Sequence, residues 1–140
     1  MPHAENGIGE LAKELLLLVA RHPNLLIYLP HLGWPRRDER DDPDWHQAIT
    51  ELGQCPNIVA GASAIAHFSA QPFPHLDVEP FAAHLIQTFG SSSVVIGSDY
   101  PLFEKEHYGR YLELARRWAF GANLQTALES ESVLCASAAS

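Results

Sequence analysis

Three short apolar runs, "LLIYL" (Leu25 to Leu29), "IVAGA" (Ile58 to Ala62) and "VVI" (Val94 to Ile96), constrain the fold more than any other feature of the chain. None alternates polar with apolar residues, which is the pattern of strands covered on both faces in a parallel sheet. From Leu25 to Ile58 is 33 residues and from Ile58 to Val94 is 36, close to the ~30-residue length of a strand-helix-strand unit. The intervening stretches carry helical periodicity. Asn6 can cap a first helix with Ile8, Leu11, Ala12, Leu15 and Val19 on one face, ended by His22 and Pro23. Asp44 can cap a second, through Trp45, Ala48, Ile49 and Leu52 to Gly53. A third aligns Val78, Phe81, Ala82, Leu85, Ile86 and Phe89 and is closed by Gly90. A fourth uses Tyr108, Tyr111, Leu112, Ala115 and Ala119, and a shorter fifth follows Asn123. The expected class is α/β, with a parallel sheet built from βα repeats.

A chain of 140 residues reads as one domain spanning 1–140, large enough for a sizeable core. Hydrophobic residues make up 46% and charged residues 19%, as in a globular protein. The net charge of −8 argues against nucleic acid as partner, since such binders gather Lys and Arg on one face. The longest apolar run, Leu15 to Ala20, is far short of the ~20 residues that span a bilayer. Glu10 and Glu14 ahead of it, with no small-residue cleavage site behind, exclude a signal peptide. Cys55 and Cys135 have no paired spacing, which fits free thiols in the cytoplasm. The charged run "RRDERDD" (Arg36 to Asp42) reads as a loop between strand and helix.

In parallel α/β folds, chemistry collects at the C-terminal ends of the strands. The first strand runs into "PHLGWP" and places His31 at its tip; the second ends in "GAS" with Ser63; the third ends in "GSD" with Ser98 and Asp99. In a flat sheet, tips two strands apart are separated by about 9–10 Å. That is too far for His31 to touch Asp99, whereas barrel curvature brings inward-facing groups together, leaving room for a metal ion or a water between them.

At "HLGWP" and "GSDYP" the chain resembles the C-terminal half of the amidohydrolase-related family, metal-dependent (β/α)8-barrel hydrolases and decarboxylases that include dicarboxylate lactonases and aminocarboxymuconate-type decarboxylases. "PNIVAGAS" resembles the family's seventh strand, and "PFAAHLIQTFGSSSVVIGSDYP" its following helix and eighth strand. The resemblance implies a partial TIM-like barrel of about strands six to eight. It also implies that Asp99 binds a divalent metal, zinc or manganese, and accepts a proton from the metal-bound water. His31 matches a histidine that polarises the substrate or shuttles a proton beside the metal, and that is itself a ligand in binuclear relatives. A divalent ion lowers the pKa of bound water towards ~7, and a neighbouring carboxylate can hold the proton. Substrates are then small carboxylates, lactones or esters.

The departures are equally specific. The HxH pair of the family's first strand is absent from all 140 residues, and a complete barrel takes about 250. The fifth-strand ligand is missing unless Met1-Pro2-His3 is a remnant of it. The chain ends at "VLCASAAS", where the family tends to carry an Asn-Ala pair. His31 and Asp99 make two ligands where a catalytic zinc takes three, so weak metal binding is expected. Two rival functions follow: a non-catalytic barrel fragment that folds by association with a second copy or a separate N-terminal half, and a decarboxylase.

Further residues carry competing readings. Arg36 and Arg37 could clamp a substrate carboxylate, or belong to a solvated loop neutralised by Asp38, Glu39, Asp41 and Asp42. Trp34 either lines the pocket or packs beneath the loop, and Tyr100 is a third substrate-binding candidate. "GIGELA" (Gly7 to Ala12) fits a dinucleotide fingerprint but has no strand before it. "GASAI" lacks the second glycine of a nucleophile elbow, so Ser63 and Ser98 are read as satisfying strand-end backbone groups. His67, His75 and His84 are read as solvated surface.

Overall fold

Strands β1 (Ile27–Leu29), β2 (Ile58–Ala62) and β3 (Val94–Ile96) form a parallel sheet in chain order, with Ile27 opposite Ile58 and Ala60 opposite Val94. The computed structural model describes residues 7–36, 41–97, 99 and 108–121. Around the sheet lie helices α1 (Ile8–Arg21), α2 (Pro43–Leu52), α3 (Ile65–Phe68), α4 (Glu79–Phe89) and α5 (Tyr108–Gly121). Short 3₁₀ turns occupy His31–Gly33 and Ser91–Ser93.

Crossovers between parallel strands are right-handed. Advancing the strands always in one direction therefore puts the connecting helices on one face, the winding of a (β/α)8 barrel rather than of a doubly wound sheet, whose order reverses. The burial pattern agrees. Leu29, Ile58, Ala60, Ala62, Val94 and Ile96 are buried on one face with Ala48, Ile49, Leu52, Phe81, Leu85 and Ile86 of α2 and α4. On the other face Tyr28 is 52% exposed, and Val59 and Val95 are half-buried. The expectation of two covered faces thus holds for one. Apolar strand residues record that a face needs cover, not what supplies it.

Local details differ from the sequence reading. β1 begins at Ile27, not Leu25, because Leu25 closes the turn after α1: its N–H donates to the His22 carbonyl at 3.0 Å, and its own carbonyl accepts from Asn57 Nδ2 at 2.9 Å. Leu11, expected on the buried face of α1, is exposed, and Leu17 and Leu18 are exposed with it. Asn6 lies outside the described residues, and Gly7, at the N-cap of α1, supplies no side-chain cap. Along α5, Tyr111, Leu114 and Trp118 are buried; the side chains of Leu112, Ala115 and Ala119, and the helix expected after Asn123, lie outside the described residues.

Asp42, not Asp44, caps α2. Pro43 occupies the first helical position, where its fixed φ suits a helix start, and Asp42 before it accepts the Trp45 N–H at 3.1 Å. Asp42 is buried and also accepts the Arg36 N–H at 2.9 Å and Arg36 Nη2 at 2.6 Å. Burial alone would raise its pKa, but the hydrogen bonds from Arg36 and Trp45 and the Arg36 charge more than offset this and hold it below the usual carboxylate value. Asp77 is lowered in the same way by Ser69 and the Ala70 N–H against its own burial. A carboxyl whose folded pKa is depressed contributes stability that is complete above the unfolded pKa of ~3.9 and is lost as pH falls through the folded value. Stability is therefore expected to decline below about pH 4. Asp42→Asn keeps a cap acceptor but removes the charge that Arg36 engages; it should cost ~1–2 kcal/mol near neutral pH and flatten part of that acid dependence, read by urea unfolding against pH.

Candidate active site at the strand tips

The polypeptide leaving β1 turns left-handed. His31, Leu32, Gly33 and Trp34 have φ of 56°, 57°, 70° and 53°. For a non-glycine residue this conformation costs about 1–2 kcal/mol, so the turn needs anchors. Gly33 N–H donates to Pro30 O at 3.0 Å and Trp34 N–H to His31 O at 2.9 Å. The buried Trp45 indole donates from Nε1 to Leu32 O at 2.7 Å, and Leu32 itself is fully buried. Gly7 closes the turn from outside, since a Cβ there would sit 2.2 Å from the Trp34 carbonyl oxygen. The other two tips repeat the device: Ala64 after β2 has φ 56° and Asp99 after β3 has φ 62°. Left-handed non-glycine residues gather at sites where the surroundings over-determine them.

These turns bring together what a flat sheet would keep apart. His31 Nε2 lies 3.9 Å from Asp99 Oδ1, with the two side chains 25% and 19% exposed. The flat-sheet estimate fails because both residues curl over the end of the intervening strand. There, Ser63 is 5% exposed. Its Oγ accepts the His31 backbone N–H at 3.2 Å and lies 3.0 Å from His31 Nδ1. Tyr28 carries its hydroxyl from β1 across Gly61, where a Cβ would come within 2.4 Å of it, and into hydrogen-bonding reach of Ser63. Burial raises the Tyr28 pKa, the Ser63 hydrogen bond works against this, and the Asp99 charge adds to it. The phenol therefore stays protonated.

Trp34 stands at the rim, edge-on to His31 at 5.4 Å and to His67 and Phe68 at 5.8 and 5.6 Å. Arg36 is at the same rim, but its Nη2 donates to both Asp42 (2.6 Å) and Asp44 (2.9 Å). Ser98, Arg37, Tyr100 and Met1-Pro2-His3 lie outside the described residues. The three histidines read as solvated surface divide. His67 is exposed. His75, read as solvated, is buried, with Nδ1 2.8 Å from Gln71 O and its ring stacked on Tyr111. His84 is half-buried against His46 at 4.6 Å, its Nε2 3.2 Å from Thr50 Oγ1, and burial followed by the His46 charge lowers its pKa. Of the residues at the tips, sequence reasoning missed the Ser63 contact to the imidazole and the approach of Tyr28. A tyrosine three positions before a tip histidine, opposite a glycine-containing strand, was the available signal.

His31 Nε2 and Asp99 Oδ1 are chemically suited to a divalent cation, and two metal–ligand bonds of ~2.0–2.2 Å reach across their separation. Among the described residues no group of three His, Cys, Asp or Glu lies close enough to hold a metal. The donor set fits as two ligands, one fewer than the three of a catalytic zinc.

The architecture is shared with solved amidohydrolases. Two crystal forms of an amidohydrolase from Burkholderia multivorans, one with bound HEPES and one with bound zinc, superpose with TM-scores of 0.69 and 0.71 at 24% and 23% identity, covering 85% of this chain and 46% of theirs. An amidohydrolase from Bifidobacterium longum subsp. infantis gives 0.55 at 18% identity, over 87% of this chain and 42% of its own. In sequence, the L-fucono-1,5-lactonase of Burkholderia ambifaria is 33% identical over 99 residues, 69% of this chain and 34% of that enzyme. The chain thus matches about a third of the lactonase and under half of the solved structures. The amidohydrolase family model matches residues 14–130, and the chain belongs to that family.

Proposed function

We propose that this chain supplies strands six to eight of a metal-dependent amidohydrolase barrel that opens a small lactone. The observation that carries the reading is the 3.9 Å approach of His31 Nε2 to Asp99 Oδ1 at the tips of parallel strands, in a family with a lactonase relative and a zinc-bound neighbour. A divalent ion, zinc or manganese, held with Asp99 supplies Lewis-acid polarisation and a more acidic water. The chain's own residues divide the proton work. As water adds to the lactone carbonyl carbon, Asp99 takes its proton; that proton passes to the imidazole of His31 and on to the oxygen released as the ring C–O bond breaks, giving the hydroxy acid. Trp34 supplies an apolar wall beside His31. Tyr100, next to Asp99 in sequence, is the second contact to substrate. Arg36 shapes the rim more than it clamps an anion, because Asp42 and Asp44 already engage its Nη2.

Completion of the ligand set and of the barrel falls to strands beyond these three. The edge strand β1 favours this. Leu26 beside it is 61% exposed and Tyr28 presents an open sheet face, and such edges invite pairing. The same observation favours a second reading, a non-catalytic half that folds by association. Among the described residues no helix is long and apolar enough to cross a membrane; the free thiol of Cys55 suits a reducing compartment such as the cytoplasm.

A γ- or δ-sugar-lactone assay with zinc or manganese, run on the chain alone and after co-expression with the N-terminal portion of the Burkholderia ambifaria lactonase, tests the proposal. Metal-dependent hydrolysis that needs or is strongly raised by the added half is the expected result. No hydrolysis in either preparation, with a larger species on size-exclusion chromatography, would leave the non-catalytic reading.

A further inference from the structure

We infer that His67 and Trp34 form a ledge that reads the hydroxyl groups of the substrate, so that the site selects a polyhydroxylated, sugar-derived lactone over a plain one. The inference rests on the lactone-opening reading for where the reacting carbon lies, but the ledge itself is tested by binding alone.

Folding alone does not explain Trp34. Its backbone is left-handed, at φ 53° and ψ 65°, which is costly for a residue with a side chain, and Pro35 behind it narrows its conformations further. A large aromatic residue held at such a cost would ordinarily gain burial in return. Trp34 stays 37% exposed, while Trp45 and Trp118 are 1% and 6% exposed. The turn after β1 thus fixes an indole at the mouth of the site instead of in the core, and strained backbone of this kind gathers where a ligand is clamped.

Two imidazoles flank that indole, His31 at 5.4 Å and His67 at 5.8 Å. They come from different strand ends: His31 follows β1, and His67 belongs to α3, the short helix after β2. Phe68, 8% exposed, meets the indole at 5.6 Å and the His67 ring at 5.1 Å, so the exposed His67 rests on an aromatic base. Its ring nitrogens have no hydrogen-bond partner among the described residues. An aromatic surface beside an unengaged imidazole suits a ligand that is apolar across its carbon-bound hydrogens and polar at its rim. A sugar-derived lactone has that form. With its carbonyl carbon at His31 and Asp99, its C–H face packs on Trp34, and a hydroxyl away from the carbonyl meets His67, which can donate or accept. A lactone without hydroxyls keeps only the packing.

Titration of the ¹⁵N-labelled, metal-free chain with galactono-1,4-lactone and with γ-butyrolactone, which has the same ring and no hydroxyls, tests this. The three tryptophans give three indole N–H signals, and Trp34→Phe identifies that of Trp34. Galactono-1,4-lactone is expected to move the Trp34 signal, to leave those of the buried Trp45 and Trp118 in place, and to bind more tightly than γ-butyrolactone. His67→Ala should weaken the hydroxylated lactone roughly 2–10-fold, the worth of one net hydrogen bond, and leave γ-butyrolactone unchanged. His67→Gln keeps a donor and an acceptor and should restore part of the loss. Trp34→Ala, followed through the backbone amide of Gly33, should weaken both lactones. A merely structural His67 would change the two ligands alike. An unmoved Trp34 signal with both lactones, equal affinities in the wild type, or a His67→Ala variant that weakens both alike would overturn the inference. The expected titrations without lactone hydrolysis would count against the proposed reaction and not against the ledge.

Discussion

Asp99→Asn is expected to lower lactone hydrolysis by about 10²–10⁴-fold, the usual contribution of a positioned proton acceptor, while leaving the fold intact. The substitution keeps the size of the side chain and removes its charge and basicity. It also respects the backbone: Asp99 sits at φ 62°, and asparagine tolerates the left-handed region better than most residues. Its side chain is 19% exposed and its contact to His31 is 3.9 Å, so little packing is lost and the change in unfolding free energy should stay within ~0.5 kcal/mol. Rates measured in the preparation reconstituted with the N-terminal portion, beside thermal unfolding of the chain, separate the two effects. Retained hydrolysis in a folded variant would remove Asp99 from the reaction.

Trp45→Ala should destabilise the chain by about 3–5 kcal/mol, as for other buried aromatic truncations. Domains of this kind are stable by only about 5–15 kcal/mol, so a large part of the folding free energy is at stake. Trp45 is 1% exposed, meets Phe81 edge-on at 5.0 Å, and holds the Leu32 carbonyl at 2.7 Å. Deletion opens a cavity between α2 and α4 and leaves a buried carbonyl without its donor. Trp45→Phe isolates the second effect and should cost about 1–3 kcal/mol. Urea unfolding followed by circular dichroism gives the free energies. A Trp45→Phe cost equal to that of Trp45→Ala would mean that the indole N–H, rather than the packing, dominates.

The chain shows in its sequence what repeats locally. The strands β2 and β3 fall at their expected bounds because uninterrupted apolar runs between helix ends and glycines leave few alternatives. The face of α4 through Phe81, Ala82, Leu85, Ile86 and Phe89 is buried as its periodicity requires. Where two local signals compete, the sequence is less decisive: Asp42 and Asp44 flank Pro43, and only the bond from Trp45 N–H to Asp42 identifies the cap. Leu11 illustrates the other limit, since an apolar residue at helical spacing is exposed when nothing in the described structure covers that side of α1.

The sequence by itself determined the class, the strand order consistent with βα repeats, and the identities of the polar groups at the strand tips, because each depends on spacing along one stretch of chain. The tertiary structure decided which of those groups meet. His31 and Asp99 are 68 residues apart in number and two strands apart in the sheet, and no periodicity encodes the left-handed turns that close the gap between them. Ser63 and Tyr28 gain their places for the same reason: a hydroxyl that meets a backbone N–H and an imidazole nitrogen at once, with a phenol lying across Gly61 beside it, is defined by neighbouring strands ending side by side, and that arrangement exists only in the folded chain.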